Sequence, residues 1–250
     1  LTQDTLSQRR RALIGLGLFA ATPALAHAAQ PRLTLATGAR EPFTTTTNGP
    51  GFAEELLREA LRRIGHDLAV LSLPPERALV NANAGIEDGD MFRAPGLEKD
   101  YPNLVRVPQP LLENDFVAFT LRADVDVQRW ADLARYSVAH ITGYKILERQ
   151  LAGSTNVTTV RDNELLLALL ANGRADVILN SRWVGLWFAR RAGLSLRELE
   201  PPLLRVPMFT YLHRRHQALV SPLAEALAEA RRDGTWQRLH QRILAPLDPA

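Results

Sequence analysis

The stretch that most constrains this chain is a strand, loop, helix, strand series over residues 33–71. Leu33-Thr-Leu-Ala-Thr37 is a β-type run, and a loop follows it to Thr47. After Phe52 the apolar residues fall at Leu56, Leu57, Ala60, Leu61 and Ile64, one stripe of a 3.6-period helix. Gly65 closes that helix, since glycine accepts the left-handed backbone of a helix end. Residues 66–71 then read as a second strand. Two strands joined through a helix call for a parallel sheet and a covering helix layer, so the fold class is α/β. Ligands of such sheets bind beyond the carboxyl ends of the strands. That puts Phe43 and Phe52 beside a binding site, with core or lid packing as the competing reading for both.

The same alternation returns further along. Residues 76–84 form a short helix stopped by Gly85, a turn at 87–90 precedes Met91-Phe92-Arg93, and residues 104–107 and 114–120 are strands. A second unit follows. Residues 136–141 are a strand, and Thr142-Gly143-Tyr144-Lys145 is a tight turn that opens a helix to Leu151. Asp162 caps a helix whose apolar run is 165–170. Residues 175–179 are a mostly apolar strand of the buried parallel type. Asn180-Ser181 is read as the turn at its end, and a helix runs from Arg182 to Arg190. An extended segment at 203–212 leads to a helix expected to begin at Ser221-Pro222, with proline in its first position.

The N-terminal residues read differently. Arg9-Arg10-Arg11 precedes an apolar stretch at 12–22, and Ala24-Leu25-Ala26 and Ala26-His27-Ala28 are both cleavage sites of the Ala-x-Ala type. Residues 1–28 are therefore expected to be an export signal, too short for a membrane span. The paired arginines leave the twin-arginine route open beside the general one. The product is expected to be a soluble periplasmic monomer. The chain has no cysteine, which excludes disulfides, thiol catalysis and thiolate metal sites. Its 30 Lys and Arg face 27 Asp and Glu without clustering into a stripe, so no nucleic-acid partner is expected.

Catalytic signatures are absent. There is no Gly-x-Ser-x-Gly elbow, and no Gly-x-Gly-x-x-Gly or phosphate-loop sequence follows a strand. His213 and His216 are the one close histidine pair outside the signal, and no carboxylate accompanies them at ligand spacing, so neither a metal nor another cofactor is expected. The residues that suit ligand binding are cationic. Arg93, just past a turn, has the forked geometry that receives a carboxylate, or else it is a surface arginine or a partner of Asp88 or Asp90. Gly143, Tyr144 and Lys145 place backbone N–H groups and a charge at a helix start, which favours an anion; ordinary turn chemistry is the alternative. Trp183 and Trp187 share a helix face and read as core, or as a stacking wall.

Taken in order, these pieces resemble the extracellular solute-binding proteins of family 3, the periplasmic amino-acid-binding type. The pieces are Leu33 to Thr37, Gly51-Phe-Ala-Glu-Glu-Leu56, Gly85-Ile-Glu-Asp-Gly-Asp90, Ile141-Thr-Gly-Tyr-Lys145, Gly173-Arg-Ala-Asp-Val-Ile178, and residues 221–239 with the joint Asp233-Gly234-Thr235. The resemblance implies a two-lobed fold with two crossovers, near Thr120 and Val206. Lobe one would be 31–119 plus 207–250, and lobe two 120–206. It implies Phe43, and less directly Phe52, as the ligand-facing aromatic, Arg93 as the carboxylate holder, and Gly143-Tyr144-Lys145 as the second-lobe turn. Where the family carries an acid for an α-amino group, this chain has Asn180-Ser181-Arg182. A buried ammonium without a counter-charge is costly. The expected ligand is therefore carboxylate-bearing but not a simple α-amino acid, held by Phe43, Phe52, Arg93, Gly143, Tyr144, Lys145, Ser181 and Arg182. The expected role is a non-catalytic receptor that closes over a small polar solute for the membrane permease of an ABC importer. The alternatives are a dehydratase-like enzyme on the same scaffold, with Glu54 or Glu76 as the nearest acid, or a ligand sensor for a signalling partner.

Overall fold

Strand β1 (Arg32–Thr37) pairs in parallel with β2 (Asp67–Ser72), and α1 (Phe52–Arg63) forms the crossover between them. This is the computed structural model of the chain, and it describes residues 30–47 and 49–248. The export signal expected at 1–28 lies outside the described residues. The stripe read on α1 is buried: Leu56, Leu57, Ala60 and Leu61 are each 1% exposed or less. Helix α2 (Pro75–Ala84) ends at Gly85 in the left-handed region and leads to β3 (Gly89–Arg93), also parallel to β1. The turn expected at 87–90 is thus shorter, because Gly89 and Asp90 already pair with β1.

Strands β4 (Leu104–Arg106) and β5 (Leu112–Thr120) follow. The next elements are β6 (Val138–Ile141), α3 (Lys145–Gln150), β7 (Val157–Val160), α4 (Asn163–Ala171), β8 (Val177–Ser181) and α5 (Arg182–Arg191). The chain returns through β9 (Arg197–His213) and finishes with α6 (Gln217–Arg232) and α7 (Thr235–Ile243). The sheet runs β2-β1-β3-β9-β5-β8-β6-β7, with β4 also on β9. It is curled into two lobes. One is built on β2, β1, β3, β4 and the end of β9, the other on β8, β6, β7 and the beginning of β9, and β5 runs along β9 where the two meet.

Three further boundaries differ from expectation. Asn180 and Ser181 are not a turn but the last residues of β8, because Val117 and Phe116 of β5 give them antiparallel partners. The segment expected at 203–212 belongs to a strand that begins at Arg197, since β5 pairs with it from Thr120↔Arg197 to Leu112↔Met208. Pro222 lies inside α6 rather than at its start. Val220 and Leu223 are both buried, and that burial extends the helix upstream of the proline.

The principal core lies between the sheet and helices α1, α4, α5, α6 and α7. A second core packs α3 against the outer face of β6 and β8. A small third one holds α2 to β4 and β9 through Leu79, Leu104 and Tyr211. Asp162 caps α4 as expected, accepting from the Leu165 N–H at 2.8 Å. Asp233 accepts from the Thr235 N–H at the α6–α7 joint and pairs with Arg63 of α1 at 2.8 Å.

Two outcomes follow from this packing. A Cβ on Gly185 of α5 would stand 2.4 Å from Cε2 of Phe119, which is fully buried and has no room to yield. Helix propensity favours alanine by about 1 kcal/mol, while overpacking costs about 1–3 kcal/mol. Gly185→Ala is therefore expected to lower the urea midpoint at unchanged slope. Hydrogen bonds from Thr235, with the Arg63 charge behind them, hold the Asp233 carboxyl down at about 2. Its folded-state value lies below the unfolded one, so its contribution is present above the ordinary carboxylate range and is lost as pH falls toward 2. Carboxyl NMR should place this titration near pH 2, and Asp233→Asn should make the acid unfolding curve less steep.

Candidate functional site

Between the lobes, at the carboxyl ends of β1, β3, β6 and β8, lies a cleft of about 160 Å³. Lobe one supplies Arg40, Phe43, Phe92 and Arg93; the other wall carries Phe116, Tyr144, Ser181 and Val184. Asn114 of β5 and Met208 of β9 lie on the strands that join the lobes.

Phe43 is fixed by backbone rather than by side-chain bonds. The N–H groups of Phe52, Ala53 and Glu54, the first of α1, donate to the carbonyls of Pro42 and Phe43 at 2.8, 3.0 and 3.2 Å. The loop thus caps the helix, and Phe43 is left stacked on Phe92 with centroids 4.7 Å apart. It lines the cleft. Phe52 is elsewhere. It is fully buried under α7, edge-on to Trp236 at 5.5 Å, because it opens the apolar stripe of α1.

Arg93 reaches the cleft because β3 bulges. Asp90 pairs with Tyr211 and Arg93 with Phe209, so two residues of β3 oppose one of β9 in between. The bulge re-aims side chains and brings residues three apart to the same side. Arg93 Nη2 donates to Asp90 Oδ2 at 2.8 Å and to the Pro75 carbonyl at 2.7 Å. Its Nε is buried and donates to nothing. Asp90 is fully buried, and burial pushes its carboxyl above the usual range while the Arg93 charge opposes that shift. An arginine held from behind, with its side chain still 16% exposed among the cleft residues, can receive an acceptor there through the part of its guanidinium that stays accessible.

On the facing lobe, Tyr144 meets Phe116 edge-on at 6.2 Å, and burial pushes its phenol up to about 12, so it remains a hydrogen-bond donor at neutral pH. Gly143 lines the cleft, but its N–H donates to Glu148 at 2.6 Å. Lys145 Nζ pairs with the same Glu148 at 2.9 Å and is largely exposed. The anion site expected at this helix start is thus satisfied by α3's own carboxylate, and Lys145 is not among the cleft residues. Ser181 is buried in the wall and donates to Asn114 Oδ1 at 2.7 Å, while Asn180 donates to Asn163 at 2.8 Å. Arg182 points away. It pairs with Glu198 at 2.8 Å and Asp248 at 2.7 Å and lies over the Trp183 ring, on the opposite side of the sheet. Trp183 is core, edge-on to His240.

Sequence reasoning missed Arg40, Phe92, Asn114, Phe116, Val184 and Met208. Asn114 and Phe116 share one face of β5 by strand alternation, which was a usable signal. Arg40 sits in an irregular loop and carries none. It is exposed, without an ion-pair partner among the described residues, and its charge is felt by Tyr144 and by Asp162 of lobe two. The cations lining the cleft are Arg40 and Arg93, and no carboxylate lines it. A second chamber of about 330 Å³ continues outward past Arg40 and Tyr144 to Asp162 and Glu164.

No protein-family model matches the chain. It is 23% identical over 204 residues to an uncharacterised protein of Shewanella oneidensis, covering 79% of this chain and 77% of that protein. Among solved structures it is similar to a histidine kinase sensor domain with similarity to periplasmic binding proteins, at TM-score 0.72 and 17% identity, over 87% of this chain and 97% of that one. It is similar to an ancestral arginine-binding protein bound to arginine, at TM-score 0.71 and 15% identity, over 87% of this chain and all of that one (100%). The chain thus has the two-lobed α/β fold of periplasmic binding proteins.

Proposed function

We propose that this chain is an exported solute-binding protein of the family 3 kind, which closes its lobes over a small carboxylate-bearing solute. The observation that carries this reading is Arg93. A guanidinium anchored from behind by Asp90, and still partly exposed, lines a cleft whose other charged lining residue is also an arginine. Phe43 and Phe92 would cover one face of the solute and Tyr144 with Phe116 the other; Asn114 and Ser181 would meet its polar groups. The ligand expected is not a simple α-amino acid, because the inner cleft beside Arg93 offers an ammonium no carboxylate, and Glu41, Asp162 and Glu164 line only the outer chamber. That lining also holds no imidazole, which favours binding over dehydratase-like acid–base chemistry. Closure would exclude water and strengthen the Arg93 contact. Among the described residues no helix is long and apolar enough to cross a membrane, which suits delivery from the periplasm to the permease of an ABC importer. A sensory role is the second reading, favoured by the likeness to a kinase sensor domain.

A thermal-shift screen of organic acids, amino acids, amines and small peptides should identify carboxylates as the stabilising class. For the best of them, calorimetry on Arg93→Gln should show a loss of roughly 1.5–3 kcal/mol, or about tenfold to a few hundredfold in affinity. Arg93→Lys keeps the charge beside Asp90 but not the fork, and should recover only part of the loss. Lys145→Ala should leave affinity within about twofold, since that side chain serves Glu148. Tight binding of a standard amino acid that ignores Arg93→Gln would refute the assignment.

A further inference from the structure

The strands that carry the cleft have a second face. Along β5, Asn114 and Phe116 face the cleft, whereas Glu113 and Asp115 face a separate cavity of about 410 Å³ on the other side of the sheet. Ser181 and Val184 face the cleft, while Arg182 and Trp183 line the rear cavity. The cavity spans both lobes. Trp236 and His240 belong to α7, Arg231 to α6, and Trp183 to α5. His240 stacks on Trp236 at 5.0 Å and stands edge-on to Trp183 at 5.5 Å, which makes one aromatic wall. Burial holds the His240 imidazole below the usual range, so this wall is uncharged at neutral pH.

Three arginines line the cavity, and they are not equivalent. Arg182 is paired with Glu198 and Asp248, and Arg205 with Asp115 at 2.6 Å. Arg231 has no carboxylate partner among the described residues. It lies 4.8 Å over the Trp236 ring and donates to the Leu111 carbonyl at 3.2 Å. Burial lowers its pKa, and the charge of Glu113 opposes this from beyond ion-pair distance. A half-buried guanidinium without an anion is a group whose desolvation remains uncompensated. Glu113 and Glu200 are exposed and also line the cavity, so they disfavour a ligand with more than one negative charge.

We propose that this rear cavity is a second binding site, one that takes a flat apolar monocarboxylate, with its ring against the edges of Trp236 and Trp183, whose faces His240, Arg231 and Arg182 already cover, and its carboxylate on Arg231. The site is separate from the cleft and stands whether or not the cleft reading does. Its walls come from both lobes, so its shape depends on the angle between them.

The test uses indole-3-acetate as the probe and the four indole N–H signals of the full chain, which has four tryptophans. Titration should shift the Trp183 and Trp236 signals saturably and leave that of Trp130 in place. Tryptamine, the same ring with an ammonium, should shift none of them. Arg231→Gln should weaken indole-3-acetate binding by about tenfold or more, and Arg231→Lys should restore part of it. The proposal is overturned if the wild-type signals do not move, if tryptamine moves them equally, or if Arg231→Gln binds as the wild type does. Loss of the shifts in Arg93→Gln would place the probe in the cleft and overturn it as well. Should Arg231→Gln not fold, the wild-type comparison of the two indoles decides alone.

Discussion

The antiparallel pairing of β5 with β9 is the constraint on which the other features depend. It joins residue 112 to 208 and residue 120 to 197, so both lobes hang on one ribbon. A strand presents successive side chains to opposite faces. Wherever this ribbon passes between the lobes, one set of residues therefore looks into the cleft and the other set looks out behind it. Asn114 and Phe116 are cleft residues for that reason, and Glu113 and Asp115 are not. Hinge motion between lobes joined in this way would be taken up by the ribbon and would be felt on both faces.

Within lobe one the cleft depends on a single irregularity. Without the β3 bulge, Asp90 and Arg93 would point to opposite faces of the sheet. With it, a fully buried carboxylate sits behind the guanidinium, and the Pro75 carbonyl holds its flank. A buried ion pair is weak evidence for stability. What this one supplies is position: the arginine is held in one orientation at the cleft, so a group binding there would spend less free energy on ordering it.

The parts of the fold that were legible are those in which local pattern and tertiary environment agree. Residues 52–64 carry a helical stripe whose buried side is wanted by the sheet, and Asp162 and Gly85 act at helix ends through contacts a few residues away. The site was less legible. Phe43, Arg93, Gly143, Tyr144 and Ser181 line the cleft, whereas Phe52, Lys145 and Arg182 satisfy other partners. For Lys145 the competing group, Glu148, lay three residues away and could have been weighed. For Phe52 and Arg182 the partners are distant in sequence: Trp236 and His240 for one, Glu198 and Asp248 for the other.

The amino-acid sequence by itself determined the alternation of strands and helices, the α/β class, the absence of thiol chemistry and the loop in which Phe43 lies, because periodicity, capping and composition act over a few residues. Tertiary structure alone decided which cations face the cleft. That choice depends on whether a side chain finds a carboxylate within ion-pair distance, and such partners lie anywhere along the chain. Arg182 found two and left the cleft lining; Arg93 found one behind it and stays partly exposed in the lining; Arg40 found none among the described residues and stands at the rim.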